Sequence, residues 1–383
     1  MVTFFELMHD FQWLSLYLLG FFTLIILFFQ WFFFSRVAFR KIKTGKDEDR
    51  QQPVSVVICA KNEYENLKKN LPAVLEQDYP EFEVVLVNDF SEDDSYFLLK
   101  SFQEKYSHFK VVNLRDNVNF FAGKKLALAV GIKSAKYDTV LLTDADCAPV
   151  SKNWISSVCS GFDDSAEIVL GYGGYRKLPG ILNSLIRFDT LTIAIQYMGF
   201  AMAGFPYMGV GRNLAYKRAL FYRQGGFASH YKISSGDDDL FINKAATSKN
   251  TRVALDPDSF TISEPKRNFT SWFKQKKRHL STGTYYRPGN KLALGLLTLS
   301  STLFYPALVL FIIFNTQPSL PLYIGGGLVL IKVFSQMLLY YYAGKKLGEK
   351  KLFLYSPLFD MIFAFLNPVF AISNLFYRKN TWK

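Results

Sequence analysis

From Phe11 to Ser35 the chain carries no charged residue. A helix crossing a hydrocarbon core needs about 20 apolar residues, so this run is long enough to span one. A cleaved leader would have a shorter apolar core, about 7 to 15 residues, with its positive charge in front. Here Glu6 and Asp10 precede the run, while Arg36, Arg40, Lys41 and Lys43 follow it. The charge bias predicts an uncleaved anchor over residues 1–35, its amino end outside, with a polar linker over 36–52 leading into the cytoplasm.

A second uncharged run, Leu292 to Ile331, is broken by the turn-forming "NTQPSLP" at Asn315–Pro321. Two spans near 292–314 and 322–343 fit it, within a membrane region over 285–383. A further apolar stretch, 352–377, contains Pro357, Asp360 and Pro368, and both a span and a re-entrant segment fit it. Lys332 and Asp360 fall inside apolar segments, where charge is costly unless paired, so they are expected to pair with each other. The net charge of +13 would suit an anionic partner, but many of the basic residues flank the spans. Membrane lipids and topology therefore account for much of it and nucleic acid is not expected. Cys59, Cys147 and Cys159 are odd in number and lack metal-site spacing, so they are read as reduced and structural. Nothing in the sequence speaks to oligomeric state.

Between these regions strand-like runs alternate with amphipathic ones. The former are Val54–Ala60, Phe82–Asn88, Lys110–Leu114 and Thr139–Thr143; the latter are Glu65–Gln77, Glu92–Tyr106 and Gly123–Ala135. Such alternation predicts an α/β fold, a mostly parallel sheet with helices on both faces, over 53–284. Ligands of such sheets bind beyond the carboxyl ends of the strands. Glu63 follows the first strand, Asp89 the second, and Asp144 and Asp146 the fourth. Two carboxylates flanking one residue suit Mg2+ or Mn2+ together with phosphate oxygens. No Walker motif is present, and "GVGRNL" at Gly209–Leu214 lacks the third glycine of a dinucleotide fingerprint. A nucleotide diphosphate bridged by a metal is the better candidate.

The ordered blocks "VSVVICAKNE", "EVVLVNDFSEDDS", "GKKLALAVGI", "VLLTDADC", "GVGRNLAYKRALF", "SSGDDDL" and "QKKRH" resemble those of membrane-bound family 2 glycosyltransferases with a GT-A fold. Cellulose, chitin and hyaluronan synthases and lipid-acceptor enzymes are similar. The resemblance implies that Glu63 and Asp89 face the base and ribose of a nucleotide-sugar donor. It also implies that Asp144 and Asp146 bind the metal, with Asp146 the direct ligand, and that Lys124 or Lys125 lies beside the phosphates. Aligning Asp239-Leu240 to the family's closing Asp-Leu makes Asp237 the general base, with Asp238 as the fallback. Gly236 stands where relatives have an acid.

"QKKRH" matches the family's Q-x-x-R-W except that His279 replaces Trp. Arg278 is then expected near the diphosphate, and Gln275, His279, Gly211 and Asn213 on the acceptor side. Loss of the Trp favours single-sugar transfer to a lipid or glycan acceptor. The implied setting is an inner bacterial membrane with the catalytic domain cytoplasmic. A processive polysaccharide synthase and a catalytically silent nucleotide-sensing membrane protein are the competing readings. Thr190–Gly211 is uncharged, but a span there would put Asp237 and Asp146 on opposite sides of the bilayer. It is therefore expected as a helix packed on the cytoplasmic domain or lying at the bilayer surface.

Overall fold

A computed structural model describes residues 4–42, 51–114, 124–233 and 235–375. The first three residues of the expected anchor, linker residues 43–50, the Gly123 start of the third helix and the chain beyond 375 lie outside them.

Two compact units are present: Met1–Arg40 with Pro288–Tyr377, and Lys41–Arg287. In the first, four helical segments are long and apolar enough to cross a membrane: His9–Phe39, Pro288–Phe314, Leu320–Lys346 and Leu352–Ser373. The first runs past Ser35 through a π-helical turn at Gln30–Phe34. The stretch compatible with either a span or a re-entrant loop is one helix, Ser356–Leu375, continuous through Pro368. Leu16, Leu19 and Ile26 pack against Phe304 and Phe311 in the core of this unit. Lys332 Nζ meets Asp360 Oδ2 at 2.6 Å and Gln336 Oε1 at 2.9 Å, and the Tyr305 hydroxyl donates to the same Asp360 oxygen at 2.8 Å. The expected pair is therefore formed, and Lys332 is only 2% exposed.

The second unit is built on strands β1 (Val54–Ala60), β2 (Phe82–Asp89), β3 (Phe109–Leu114), β4 (Thr139–Asp144), β5 (Cys147–Pro149), β6 (Ile168–Leu170), β7 (Gly173–Tyr175), β8 (Leu214–Lys217), β9 (Thr251–Val253) and β10 (Thr261–Ser263). Seven of them form a sheet in the order β3-β2-β1-β4-β8-β6-β9, and β5-β10-β7 form a smaller one. The first four strands are mutually parallel, as their near-continuous apolar runs demand of strands covered on both faces. Helices Tyr64–Leu75, Ser95–Lys105 and Lys125–Ser134 connect them. The sheet is mostly parallel, as expected, and its antiparallel part lies beyond β4, where β8 runs antiparallel to both β4 and β6. Strand order reverses between β1 and β4, which opens a crevice at their carboxyl ends. The apolar Thr190 segment belongs to helix Ile181–Met202, which packs on this unit through Ile186, Leu191, Ile195 and Met198. Its Tyr197 hydroxyl donates to the Gly171 carbonyl at 2.6 Å.

Candidate active site

The loops after β1 and β2 are stitched to each other. Asn62 N–H donates to Ser91 Oγ at 2.9 Å, Glu92 N–H to Asn62 Oδ1 at 2.8 Å, and Tyr64 N–H to Asp93 Oδ2 at 3.0 Å. Asn62 and Phe90 adopt φ of 55° and 53°, conformations that cost energy for a side-chain-bearing residue and recur at functional sites. A cavity of about 320 Å³ lies here, lined by Asn62, Glu63, Asn66, Asp93 and Asp94. Glu63 starts the helix Tyr64–Leu75 without capping it through its side chain; Oε2 instead accepts from Asn66 at 2.5 Å. Burial raises the Glu63 carboxyl above its ordinary range against that hydrogen bond, and the charges of Asp146 and Asp144 add to the effect. Asp89, at the end of β2, is likewise raised by burial, with Lys61 opposing.

Asp144 ends β4 directly beside Cys59 of β1. Burial works against its charge, but its ion pair with Lys124, followed by Arg212 and Arg278, holds the carboxyl below its usual range. Asp146 is raised, first by burial and then by Asp144. Cys59 reports how much charge converges here. Burial pushes its thiol up to about 12, Lys124 opposes the rise, and Asp237, Asp144 and Asp89 add to it. Titratable groups from four distant segments thus act on one buried sulfur.

Ligand atoms of Asp144, Asp146 and Cys147 lie within 4.8 Å of one another. Cys147 Sγ also contacts Ser263 Oγ at 2.8 Å and donates to Asp146 at 3.3 Å, and burial raises its thiol well above the ordinary range. The two carboxylates fit a hard divalent cation such as Mg2+ or Mn2+.

The three consecutive acids are treated differently by the fold. Asp239 Oδ2 accepts from Thr282 and from the Tyr286 hydroxyl, so it ties helix Asp239–Ala245 to the segment after Leu280. Asp238 accepts from Gly211 N–H and from Asp239 N–H, both at 2.7 Å. Burial and the flanking acids raise it to about 7. Asp237 has no such tether among the described residues, and its charge acts on Lys124, Lys125, Tyr216 and Cys59. Gly236, which departs from the family pattern, has φ of 96°, and a Cβ there would meet Leu240 Cδ1 at 2.5 Å. The turn that presents Asp237 therefore needs glycine.

Three of the expected residues are engaged within the protein itself. Lys125 is fully buried and donates to the carbonyls of Ile233 and Ser235; Lys124, its neighbour, is the lysine that reaches the acids. Asn213 spends its amide inside the core, on the Tyr172 carbonyl at 2.9 Å, the Ser259 carbonyl at 2.6 Å and Trp154 Nε1 at 3.1 Å. Gly211 is buried against Asp238, to which its N–H donates. The helix Phe269–Leu280 does bring its motif inward. Gln275 Nε2 donates to the Tyr175 hydroxyl at 3.3 Å, Lys276 pairs with Asp189 at 2.8 Å, Arg278 acts on Asp144, and His279 is exposed. Arg212 was missed because its block drew attention to the glycine and asparagine on either side; a lone arginine carries no pattern.

Residues 55–213, which contain the ends of β1, β2 and β4, match the model of Glycosyl transferase family 2. The chain carries a family 2 glycosyltransferase domain. Over 250 residues the chain is 26% identical to the probable glycosyltransferase YdaM of Bacillus subtilis, covering 62% of this chain and 57% of that protein. It is 34% identical over 117 residues to the poly-beta-1,6-N-acetyl-D-glucosamine synthase of Staphylococcus epidermidis, covering 30% of this chain and 27% of the synthase. The alignments thus span about half and about a quarter of those two relatives. Among solved structures, the mannosyltransferase PcManGT of Pyrobaculum calidifontis, in complex with GDP-Man and Mn2+, superposes with a TM-score of 0.58 at 20% identity. That likeness covers 93% of this chain and 99% of that one, and shows that the family 2 domain has the GT-A fold.

Proposed function

We propose that the chain is an inverting, metal-dependent glycosyltransferase that moves a sugar from a nucleotide sugar, a UDP-sugar in the first instance, to a lipid or lipid-linked acceptor in cell-envelope glycan synthesis. The observation that carries the reading is the placement of Asp144 and Asp146 at the carboxyl end of β4, their ligand atoms within 4.8 Å of each other, with Asp144 beside β1 and paired with Lys124. Glu63 and Asp89 would hold the nucleoside. Asp144 and Asp146 would hold Mg2+ or Mn2+, which when bound stabilises charge on the departing nucleoside diphosphate. Asp237 would accept the acceptor hydroxyl's proton as that oxygen attacks the anomeric carbon and the bond to the diphosphate breaks on the opposite face. Asp238 and Asp239, already engaged by N–H and hydroxyl donors, support the assignment of that role to Asp237. Lys124 and Arg278 would offset charge on the diphosphate, and Gln275 and His279 would face the acceptor. In this reading residues 53–284 do the chemistry on the cytoplasmic side of an inner bacterial membrane, held there by 1–35 and 285–383.

The 34% identity to a polymer synthase favours a second reading, processive synthesis. His279 in place of the expected Trp favours single transfer. The test is a panel of radiolabelled nucleotide sugars with the full chain in detergent and a lipid extract, with and without Mn2+. Mn2+-dependent label in the lipid phase supports the proposal, long products support the synthase, and binding without turnover refutes both.

A further inference from the structure

Arg212 is a cation for which the roles above have no task, and the fold places it with care. Its carbonyl accepts from Thr143 Oγ1 and Thr261 Oγ1, each at 3.0 Å, which pins the residue between β10 and the β4 residue preceding Asp144. Its side chain crosses Gly173 of β7, where an added Cβ would sit 3.1 Å from Arg212 Cβ and 3.4 Å from Nε. The guanidinium carbon then lies 4.5 Å from the centre of the Tyr175 ring, whose hydroxyl is held by Gln275.

Despite this placement, the guanidinium is not spent on the protein. Among the described residues Arg212 forms no ion pair with Asp144, which is taken by Lys124, or with Asp146. Its Nη1 is buried without a hydrogen-bond partner, and so is Nε of Arg278, on the helix that carries Gln275. Buried guanidinium N–H groups without acceptors are costly, and native proteins rarely leave them so. Gln275, which holds the Tyr175 ring under Arg212, stands three residues before Arg278 and so on the same face of its helix, and the two guanidiniums leave donors suited to a multiply charged oxyanion. The planar fork of arginine matches paired phosphoryl oxygens, and stacking on tyrosine fixes its orientation beforehand.

We propose that Arg212, stacked on Tyr175 and acting with Arg278, is a phosphate-binding residue whose ligand is a substrate phosphoryl group, either the diphosphate of a nucleotide donor or the monophosphate headgroup of a lipid. The donor source rests on the function proposed above; the phosphate seat itself does not.

The full chain in detergent is titrated with UDP, GDP, inorganic pyrophosphate, a long-chain prenyl monophosphate and the corresponding prenyl alcohol, each with Mn2+, and binding is read calorimetrically. Arg212→Gln should weaken the phosphorylated probes by about tenfold or more, with the prenyl alcohol unchanged. Gly173→Ala, which crowds the arginine stem without touching its charge, should weaken the same probes, and it decides the matter if Arg212→Gln fails to fold by thermal melt. A loss for UDP and GDP identifies the donor as the source, and a loss confined to the prenyl monophosphate identifies the lipid. If the parent binds pyrophosphate or prenyl phosphate but neither nucleotide, the proposed function fails while Arg212 is still tested. The inference is overturned if folded variants bind every phosphorylated probe within about twofold of the parent, or if the parent binds none of them.

Discussion

Lys125 Nζ donates to the Ser235 carbonyl at 2.6 Å, two positions ahead of Asp237, while Lys124 beside it holds Asp144. Adjacent lysines at the start of one helix thus reach the acid that closes β4 and the loop that presents Asp237. Burial lowers the Lys125 ammonium, against the charges of Asp237, Asp239 and Asp238.

Lys125→Met keeps the stem but leaves two half-buried carbonyls without their donor, a loss of about 1 kcal/mol or more. Hydrogen exchange should quicken in peptides covering 231–240 and stay unchanged in β1 to β4. Unaltered exchange in that loop would show that the lysine does not hold it.

Asp237→Asn should cut transfer by about 10² to 10⁴, the usual contribution of a general base, while nucleotide affinity stays near that of the parent. Steady-state kinetics paired with direct binding measures both. A variant that retains turnover moves the base to Asp238.

Asp238 is held at about 7, against an ordinary 3.8, by burial and by Asp237 and Asp239. Between those values the folded chain keeps a proton that the unfolded chain has released. The stability this contributes is complete below about 4 and is lost as the pH rises through about 7. Asp238→Asn removes that dependence, so the melting temperature of the variant minus that of the parent should climb across this window and level off above it. A flat difference contradicts the raised carboxyl.

Asp146→Asn should abolish binding of Mn2+ in the presence of UDP, read by electron paramagnetic resonance, and EDTA should abolish transfer by the parent. Undiminished Mn2+ binding in the variant would place the cation elsewhere.

Lys332 and Asp360 meet at 2.6 Å with Tyr305 and Gln336 completing the network. Removing either partner leaves an uncompensated charge, at a cost of about 3 to 5 kcal/mol, whereas removing both should cost less than the sum. Melting of Lys332→Ala, Asp360→Ala and the double variant in detergent measures this, and additive losses would refute the coupling.

The membrane-length helices, the four parallel strands and the acids at their ends were readable from the chain, because each rests on a local signal. Uncharged length marks a helix suited to hydrocarbon, and continuous apolar runs mark strands covered on both faces. The short strands β5, β6, β7, β9 and β10 have three residues each, too few for a period to register. Antiparallel insertion of β8 depends on the partners available in the sheet, which no local pattern records.

Which hydrogen bonds like residues make was also beyond the sequence. Lys124 and Lys125 are the same residue type in adjacent positions, and only packing of their helix turns one toward Asp144 and the other toward two carbonyls. Asp237, Asp238 and Asp239 are identical in type, yet N–H and hydroxyl donors from Gly211, Thr282 and Tyr286 engage the last two. Asn213 was spent on Trp154, Tyr172 and Ser259, and Arg212 gained Tyr175. Residue type sets which hydrogen bonds and charges a position can offer; neighbours distant along the chain decide which are used up and which remain for a ligand.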